Sequence, residues 1–410
     1  MPLTHATQLL VIGAGPAGSS SAALLHKAGY SALVIEKLKF PRFVIGESLL
    51  PHCMDLLQEA DLLEAAAARG YNVKVGALFL RGEDRCDFNF SQQHTKGWNY
   101  TWQVPRADFD KTLIDTVAAR GVPVLFEHEV KAVDVSQPHP VVTVADPAGQ
   151  LHELRTRFII DASGFGRVLP RLLDLDEPSR LPMRKAVLAH VKGDKRSVSS
   201  DSNRIWILSP LKGGWVWVIP FSDGITSLGL VGDHETFSRY ATGEPDALRD
   251  LIASDRNLQE RLSDTEWVLE PRTISGYSCA VKKLRGDNFC LVGNATEFLD
   301  PIFSSGVTLA LESGNRATKC VIRQLRGEAV DWETDYVRPM KLGTDVFRTF
   351  VTTWYDGTLP KIFYSPRADE GMRNKICSVL AGYVWDETNP FVTQHERKVA
   401  QLLRFIEAGT

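Results

Sequence analysis

The stretch Gln8-Leu9-Leu10-Val11-Ile12-Gly13-Ala14-Gly15-Pro16-Ala17-Gly18 decides the fold. Its apolar run is typical of a buried strand in a parallel sheet. The small residues at 19–28 then predict a helix that ends at Gly29, and Ser31 to Glu36 predicts a second strand. A strand, a glycine-rich turn, a helix and a strand within about 30 residues form a β-α-β unit.

The three glycines have the spacing G-x-G-x-x-G, and each position has a physical reason. Gly13 permits a tight turn, Gly15 lets the backbone approach a pyrophosphate, and Gly18 lets the helix pack closely on the strand. Glu36 lies 36 − 13 = 23 residues after Gly13, where a carboxylate can accept hydrogen bonds from ribose hydroxyls. The sequence therefore predicts a dinucleotide site, and the alternative is a glycine-rich packing turn.

Composition limits the class of partner. The 410 residues carry 47 basic and 50 acidic side chains, a net charge of −3, without any long basic run, so neither nucleic acid nor an anionic membrane is expected as a partner. The first residues lack a basic signal region, and no apolar run is long enough for a membrane span. The six cysteines include no C-x-x-C and no histidine at metal-ligand spacing. We expect a cytoplasmic protein with reduced thiols and no metal.

The remaining chain predicts an α/β (α+β) architecture of three parts. A nucleotide-binding domain is assembled from residues 1–75, 105–180 and 283–332, and a β-sheet substrate domain from residues 76–104 and 181–282. Residues 333–410 are expected to form a helical C-terminal cap. One stripe of this cap, Phe347, Phe350, Val351, Trp354 and Tyr355, is more typical of a core than of a pocket wall.

Two further small-residue turns favour FAD over NAD, because an extended FAD needs several parts of the fold. Asp161-Ala162-Ser163-Gly164 and Gly293-Asn294-Ala295-Thr296 each follow a buried strand. The chain here resembles the flavin monooxygenase superfamily, in which Arg106 matches a flavin-contacting arginine motif over 104–113. The resemblance implies a Rossmann-like FAD-binding domain of the glutathione-reductase/hydroxylase type. Asn294 stands where that family usually has aspartate, and an amide can still donate and accept hydrogen bonds.

Gly214-Trp215-Val216-Trp217-Val218-Ile219-Pro220 is the most informative segment for function. By itself it reads as an alternating strand whose two tryptophans pack on one face. In this setting it resembles the W-x-W-x-I-P signature of flavin-dependent halogenases. Phe298-x-x-Pro301-x-x-Ser304-Ser305-Gly306 resembles their halide-holding loop, and residues 40–51 resemble the lead-in of their phenol- and pyrrole-type branch.

Lys74 follows the helix predicted over residues 51–68, at the place where these halogenases carry an active-site lysine. A lysine near a strand start is ordinarily a solvated surface charge. The resemblance implies instead that Lys74 is catalytic, either as an ammonium that polarises hypohalous acid or as an amine that forms a haloamine. Trp215 and Trp217 would stand between flavin and substrate.

The resemblance also implies the cofactors and partners. FAD would be reduced by a separate flavin reductase, and chloride or bromide would be held by backbone N–H groups around Ser305 and Gly306. In the tryptophan-halogenase branch the corresponding segment resembles Asp-Pro-x-Glu-Ser. Phe303 of this chain stands at the position of that glutamate. Phenol-like, pyrrole or carrier-tethered aromatic substrates are therefore expected rather than free tryptophan. The carboxylates Glu47, Glu297 and Asp300 lie near the motifs but cannot be placed from sequence.

Two other functions remain open. A geranylgeranyl-reductase type of flavoenzyme shares the fold and has a similar aromatic strand, but has no need of Lys74 or of a halide loop. A non-catalytic or decayed flavin-binding partner protein is hinted at only by Asn294.

Overall fold

The computed structural model describes residues 8–196, 200–211, 213–240 and 246–408. Helices occupy both the N-terminal half and the C-terminal region of these ranges. They are α1 Pro16–Lys27, α2 His52–Glu59, α3 Leu63–Ala67, α4 Arg106–Ala119, α5 Val168–Leu172, α6 His234–Ser238, α7 Ala247–Ser254, α8 Arg256–Leu262, α9 Ser305–Leu325, α10 Arg338–Tyr355, α11 Thr358–Phe363, α12 Glu370–Leu380, α13 Pro390–Thr393 and α14 His395–Glu407.

The strands form two large sheets and three small ones. In chain order they are β1 Leu9–Ile12, β2 Ala32–Ile35, β3 Asn72–Lys74, β4 Gly76–Arg81, β5 Asp84–Asn89, β6 Thr101–Gln103, β7 Val124–Leu125, β8 Glu129–Asp134, β9 Val141–Ala145, β10 Leu151–Arg155, β11 Phe158–Asp161, β12 Asp176–Glu177, β13 Lys185–Lys192, β14 Arg204–Leu211, β15 Gly214–Pro220, β16 Ile225–Gly232, β17 Glu266–Ser275, β18 Ala280–Val281 and β19 Phe289–Leu291.

The first large sheet is parallel, with strand order β19-β11-β1-β2-β7. All four residues of β1 and of β2 are buried, as expected for strands covered on both faces. Helix α1 connects β1 to β2, so the predicted β-α-β unit is confirmed. Because its strands are parallel, the residues that follow β1, β2 and β11 meet at one edge of the sheet.

The second large sheet has the order β17-β13-β16-β15-β14-β4-β5, and only the β14–β4 pair is parallel. Side chains alternate along β15, so that Trp215, Trp217 and Ile219 join the main core whereas Val216 and Val218 face a separate cluster under α7 and α8. The alternation thus turns both indoles toward the parallel sheet, and the predicted α/β architecture with an added β-sheet is confirmed.

The C-terminal residues are helical, as predicted. Phe347, Phe350, Val351 and Trp354 on α10 are buried in the main core, which confirms the core interpretation of that stripe. The single helix predicted over 51–68 was wrong, since α2 and α3 are separated at Asp61, whose φ is +55°. None of the described helices has both the length and the apolar character that a membrane crossing requires.

Candidate active site

One cavity of about 490 Å³ lies at the carboxyl edge of the parallel sheet. Residues that follow its strands line one end, among them Gly13 after β1 and Glu36 after β2. Trp215, Trp217 and Ile219 of the second sheet also line the cavity. A crevice at this edge is where doubly wound folds bind ligands, and here an aromatic strand forms part of its wall.

The glycine turn leaves room for a ligand to approach the backbone closely. Gly13 has φ +100°, and a Cβ there would lie 2.4 Å from the carbonyl oxygen of Ala162. At Gly15 the nearest atom to an added Cβ is an Arg42 nitrogen at 3.5 Å, so the backbone faces open space. The Glu36 carboxylate is fixed beside this turn, because its two oxygens accept from the Ala14 and Leu38 amides at 2.9 Å each.

Two helix N-termini face the cavity. Helix α1 begins at Pro16 and α9 at Ser305, and neither has a side-chain cap. Gly15 and Gly306, at these two starts, both line the cavity. Unsatisfied N–H groups and positive dipole ends favour anions, so the cavity offers two places for negative charge.

The loop between β2 and α2 is held by Arg106. Its guanidinium donates to both oxygens of the buried Asp110, at 2.8 and 3.0 Å, and to the Ile45 carbonyl at 2.8 Å. Arg42 donates to the same Asp110 at 3.1 Å. Arg106 lines the cavity and fixes residues 45 and 46 through these bonds, a positioning role that its motif does not reveal.

The two indoles are fixed by different partners. The Trp217 ring lies over Gly229 of β16, where a Cβ would come within 2.1 Å of it, and its Nε1 donates to Ser227 at 3.0 Å. The Trp215 Nε1 donates to the Tyr355 hydroxyl at 2.8 Å. The ring centroids of the two indoles are 5.8 Å apart, so both are rigid walls of the cavity.

A buried carboxylate lies behind Trp215. The Tyr355 hydroxyl donates to Asp300 Oδ2 at 3.0 Å, Tyr277 approaches the same oxygen at 3.4 Å, and the Ile302 amide donates to Oδ1. The Arg184 guanidinium carbon lies 3.3 Å from the centre of the Tyr355 ring. Burial raises the pKa of Asp300 to about 6 although its donors and Arg184 oppose the rise. This chain of contacts joins the segment 298–306 to strand β15.

Lys74 is a buried amine rather than a surface charge. It is 1 % exposed, and its Nζ donates to the Leu49 carbonyl at 2.8 Å and lies 5.6 Å from the centre of the Phe90 ring. Burial lowers the pKa of Lys74 to about 7, with Cys53 opposing the change. The ammonium and the amine are therefore both available near neutral pH.

A glutamate of the cavity lining is held by a histidine outside it. Glu47 Oε1 lies 2.9 Å from Nε2 of His190, whose ring contacts Phe221 edge to face. Glu47 and its neighbour Ser48 both line the cavity. Sequence analysis left Glu47 unplaced and missed His190, since an alternating strand gives no signal that one of its residues holds a carboxylate 143 residues away in the chain.

Comparison with known proteins decides the class. Residues 6–338 match the family model described as FAD binding domain. The chain belongs to this FAD-binding family. A solved flavoprotein/dehydrogenase from Cytophaga hutchinsonii is 49 % identical, with 99 % and 100 % of the two chains covered and a TM-score of 0.96.

Relatives of the present chain include halogenases. A 1H-pyrrole-2-carbonyl-(peptidyl-carrier protein) chlorinase from Pseudomonas fluorescens is 28 % identical, over 93 % of this chain and 90 % of its own length. The structure of a flavin-dependent brominase is 25 % identical, with 97 % and 98 % coverage and a TM-score of 0.86. The predicted kinship with flavin-dependent halogenases is confirmed, and the protein is an oxidoreductase.

The cavity fits the FAD of this family. The open backbone at Gly15, the fixed Glu36 carboxylate and the uncapped start of α1 match a pyrophosphate and its ribose. The predicted residues that line it are Gly13, Gly15, Glu36, Arg106, Trp215, Trp217, Gly293, Asn294, Pro301 and Gly306. In the described part of the chain no group of three metal-ligating side chains comes together, and all six cysteines are free.

Four predicted site residues lie outside the cavity lining. Gly18 packs α1 on the turn, since a Cβ there would meet the Gly13 carbonyl oxygen at 1.9 Å. The buried Asp161 accepts from the Ser163 and Leu169 amides, so it shapes the turn after β11. Ser305 is buried at the start of α9, between the lining residues Ser304 and Gly306, and Lys74 lies behind Leu49.

Proposed function

We propose that this flavoprotein halogenates an electron-rich aromatic ring, with hypohalous acid as the halogen donor and Lys74 as the residue that directs it. One observation carries the proposal: a single cavity is lined both by the glycine turn that fits FAD and by the Trp215–Trp217 face. FAD, when bound and reduced, supplies the electrons that let O₂ oxidise a halide. A separate flavin reductase supplies the reduced cofactor.

The chain's own residues divide the remaining work. Backbone N–H groups around Ser305 and Gly306 hold chloride or bromide at the positive end of α9. The buried Trp215 and Trp217 keep the aromatic substrate away from the flavin, which prevents direct hydroxylation. Lys74, desolvated and bonded to the Leu49 carbonyl, either donates a hydrogen bond to hypohalous acid or accepts the halogen as a free amine.

The substrate is a phenol, a pyrrole or a ring tethered to a carrier protein. Phe303 packs edge to face on Phe350 and Trp354, so no carboxylate occupies that position to accept a ring proton. Activated rings lose their proton with little assistance. The carrier-linked pyrrole of the chlorinase relative supports the tethered form.

The test uses purified protein with FAD, a flavin reductase, NADH, O₂ and bromide or chloride, and a panel of phenols and carrier-linked pyrroles. We expect products with the halogen isotope pattern in mass spectra. Lys74→Met, which keeps an unbranched side chain, should abolish product but retain FAD binding and peroxide release. A matched control is Lys27→Met, which changes an exposed lysine paired with Asp61. Full halogenation by Lys74→Met would show that the mechanism is wrong.

A flavin-dependent dehydrogenase or reductase is the second candidate. It is favoured by the Cytophaga hutchinsonii flavoprotein/dehydrogenase, which is 49 % identical. Anaerobic reduction of a substrate C=C bond, such as that of a polyprenyl chain, without halide dependence would favour this candidate, and Lys74→Met would then leave the rate unchanged.

A further inference from the structure

One buried carboxylate, that of Asp300, is bonded to two separate parts of the cavity wall. Asp300 is 2 % exposed and lies outside the cavity lining, so any effect that it has on the cavity passes through its neighbours. Its Oδ1 accepts from the Ile302 amide at 3.1 Å, and its Oδ2 accepts from the Tyr355 hydroxyl at 3.0 Å. We call these two contacts the loop branch and the wall branch of Asp300.

The loop branch sets the start of α9. Asp300 caps the short helical turn Pro301–Phe303, after which Ser304 has φ +56° and α9 begins at the next residue. The Ser304 amide donates to the carbonyl of the first residue of this turn at 3.0 Å. A left-handed serine is unfavourable by itself and persists only where its surroundings impose it. Ser304 and Gly306 both line the cavity, so the cap at Asp300 fixes part of the lining.

The wall branch sets the first indole. The Tyr355 hydroxyl donates to Asp300 and accepts from Trp215 Nε1 at 2.8 Å. A hydroxyl has one proton and two lone pairs. Because Asp300 takes the proton, a lone pair of the same oxygen is directed at the indole N–H. Trp215 lines the cavity, so the second oxygen of Asp300 orients part of the wall.

We propose that Asp300 is a positioning residue that fixes the halide loop, residues 298–306, and the Trp215 indole relative to each other, with Tyr355 as its link to the indole. The inference rests on the proposed halogenase function, since loop and wall act together only if a halide is oxidised beside the wall. No covalent bond changes at Asp300. The two branches use different oxygens, so they can be broken separately.

The first experiment measures the KM for bromide and the peroxide released per halogenated product, with rates normalised to bound FAD. Tyr355→Phe breaks only the wall branch, so peroxide per product should rise at least threefold while the KM stays within twofold. Tyr364→Phe is the matched control and should leave both quantities unchanged, because the Tyr364 hydroxyl has no partner among the described residues.

A matched pair of variants isolates the loop branch. Asp300→Ser keeps an oxygen that can cap the turn, whereas Asp300→Ala does not, and neither side chain reaches Tyr355. Both variants should release more peroxide per product than the parent. The KM for bromide should be about fivefold higher in Asp300→Ala than in Asp300→Ser, because one capping bond separates them.

The second experiment needs no turnover. In FAD-loaded protein with ¹⁵N-labelled tryptophan, the Trp215 Nε1–H resonance, assigned with Trp215→Phe, should shift between pH 8 and pH 5. Asp300 gains its proton in this range, with a pKa of about 6, and the Tyr355 hydroxyl then loses a charged acceptor. The Trp217 Nε1–H, which donates to Ser227, is the internal reference and should shift much less.

The other ionisable groups that face Asp300 keep their charge over this pH range. They are Tyr277, at 3.4 Å from Oδ2, Tyr355, and Arg184, whose guanidinium carbon lies 3.3 Å from the centre of the Tyr355 ring. Burial raises the pKa of both tyrosines above the ordinary value, and arginine stays charged. The shift therefore reports on Asp300.

Three outcomes overturn the inference and leave the halogenase function standing. They are an unchanged peroxide ratio in Tyr355→Phe, an equal KM for bromide in Asp300→Ala and Asp300→Ser, and a Trp215 resonance that does not shift with pH in the parent. If Tyr355→Phe does not fold, Asp300→Ser provides the peroxide comparison. A parent that forms no halogenated product refutes the proposed function, and this inference with it.

Discussion

Removing one hydroxyl group, in Tyr355→Phe, should separate the tryptophan wall from Asp300. The Tyr355 hydroxyl accepts from Trp215 Nε1 at 2.8 Å and donates to Asp300 Oδ2 at 3.0 Å. Trp215 is 1 % exposed and Asp300 2 % exposed, so solvent does not readily replace the lost partner. Leaving a buried indole N–H unpaired costs about 1–3 kcal/mol, and the lost bond to a carboxylate is worth about 1.5–3 kcal/mol. We expect the free energy of unfolding to fall by about 2.5–6 kcal/mol at pH 8.

The pH dependence of this loss follows from Asp300. Its folded-state pKa of about 6 lies above the ordinary 3.8, so the carboxylate is charged at pH 8 and largely protonated at pH 5. The charge-assisted part of the loss is therefore present above pH 6 and decreases as the pH falls through about 6. The substitution removes the Tyr355 donor and so raises the pKa of Asp300 further. The pH range over which the loss decreases therefore extends upward from about 6.

Urea denaturation followed by tryptophan fluorescence, at pH 8 and pH 5 and with the same FAD content, measures both effects. Tyr364→Phe is the matched control, because the Tyr364 hydroxyl is buried without a partner among the described residues and its removal should not lower the free energy of unfolding. If Tyr355→Phe is no less stable than Tyr364→Phe at pH 8, the contact does not hold Trp215 and the reasoning fails.

Three other predictions use the same structure. Gly229→Ala places a Cβ 2.1 Å from the Trp217 ring, so we expect the free energy of unfolding to fall by about 1–3 kcal/mol. We also expect more peroxide to be released per halogenated product. An unchanged ratio of peroxide to product would contradict the role of Trp217 as a wall between flavin and substrate. Burial lowers the pKa of His52, but its hydrogen bonds to Asp55 and Glu312 outweigh this and raise it to about 9. His52 thus stabilises the fold by about 3 kcal/mol below pH 6.5 and loses this as pH rises through about 9, so His52→Gln should flatten the profile of urea midpoints between pH 6 and 10. Lys74 has a lowered pKa, so its burial is least favourable below about pH 7. Lys74→Met should therefore stabilise the protein by up to about 5 kcal/mol at pH 6 and by much less at pH 10. Equal shifts of the urea midpoint at both pH values would contradict the desolvation of Lys74.

Much of the cofactor site could be predicted because its requirements are local. Gly13 needs a positive φ and Gly15 an open backbone, and both depend only on a turn between a strand and a helix. The alternation of β15 likewise predicts that Trp215 and Trp217 share a face. The sequence could not show that Asp161 also accepts from the amides of its own turn, because a carboxylate after a strand looks the same whether it binds a ligand or caps a turn; its cofactor role stays a prediction. The three-part domain boundaries and the cytoplasmic location stay predictions.

By itself, therefore, the sequence determined a dinucleotide turn, a tryptophan face and the family to which they point, since these follow from short-range backbone geometry and side-chain alternation. Tertiary structure alone decided that both line one cavity, that Lys74 is buried against Leu49, and that Tyr355 joins Trp215 to Asp300 across 140 and 55 residues of chain. Such contacts depend on how sheets and helices pack, and burial rather than residue type then sets the pKa values of Lys74 and Asp300.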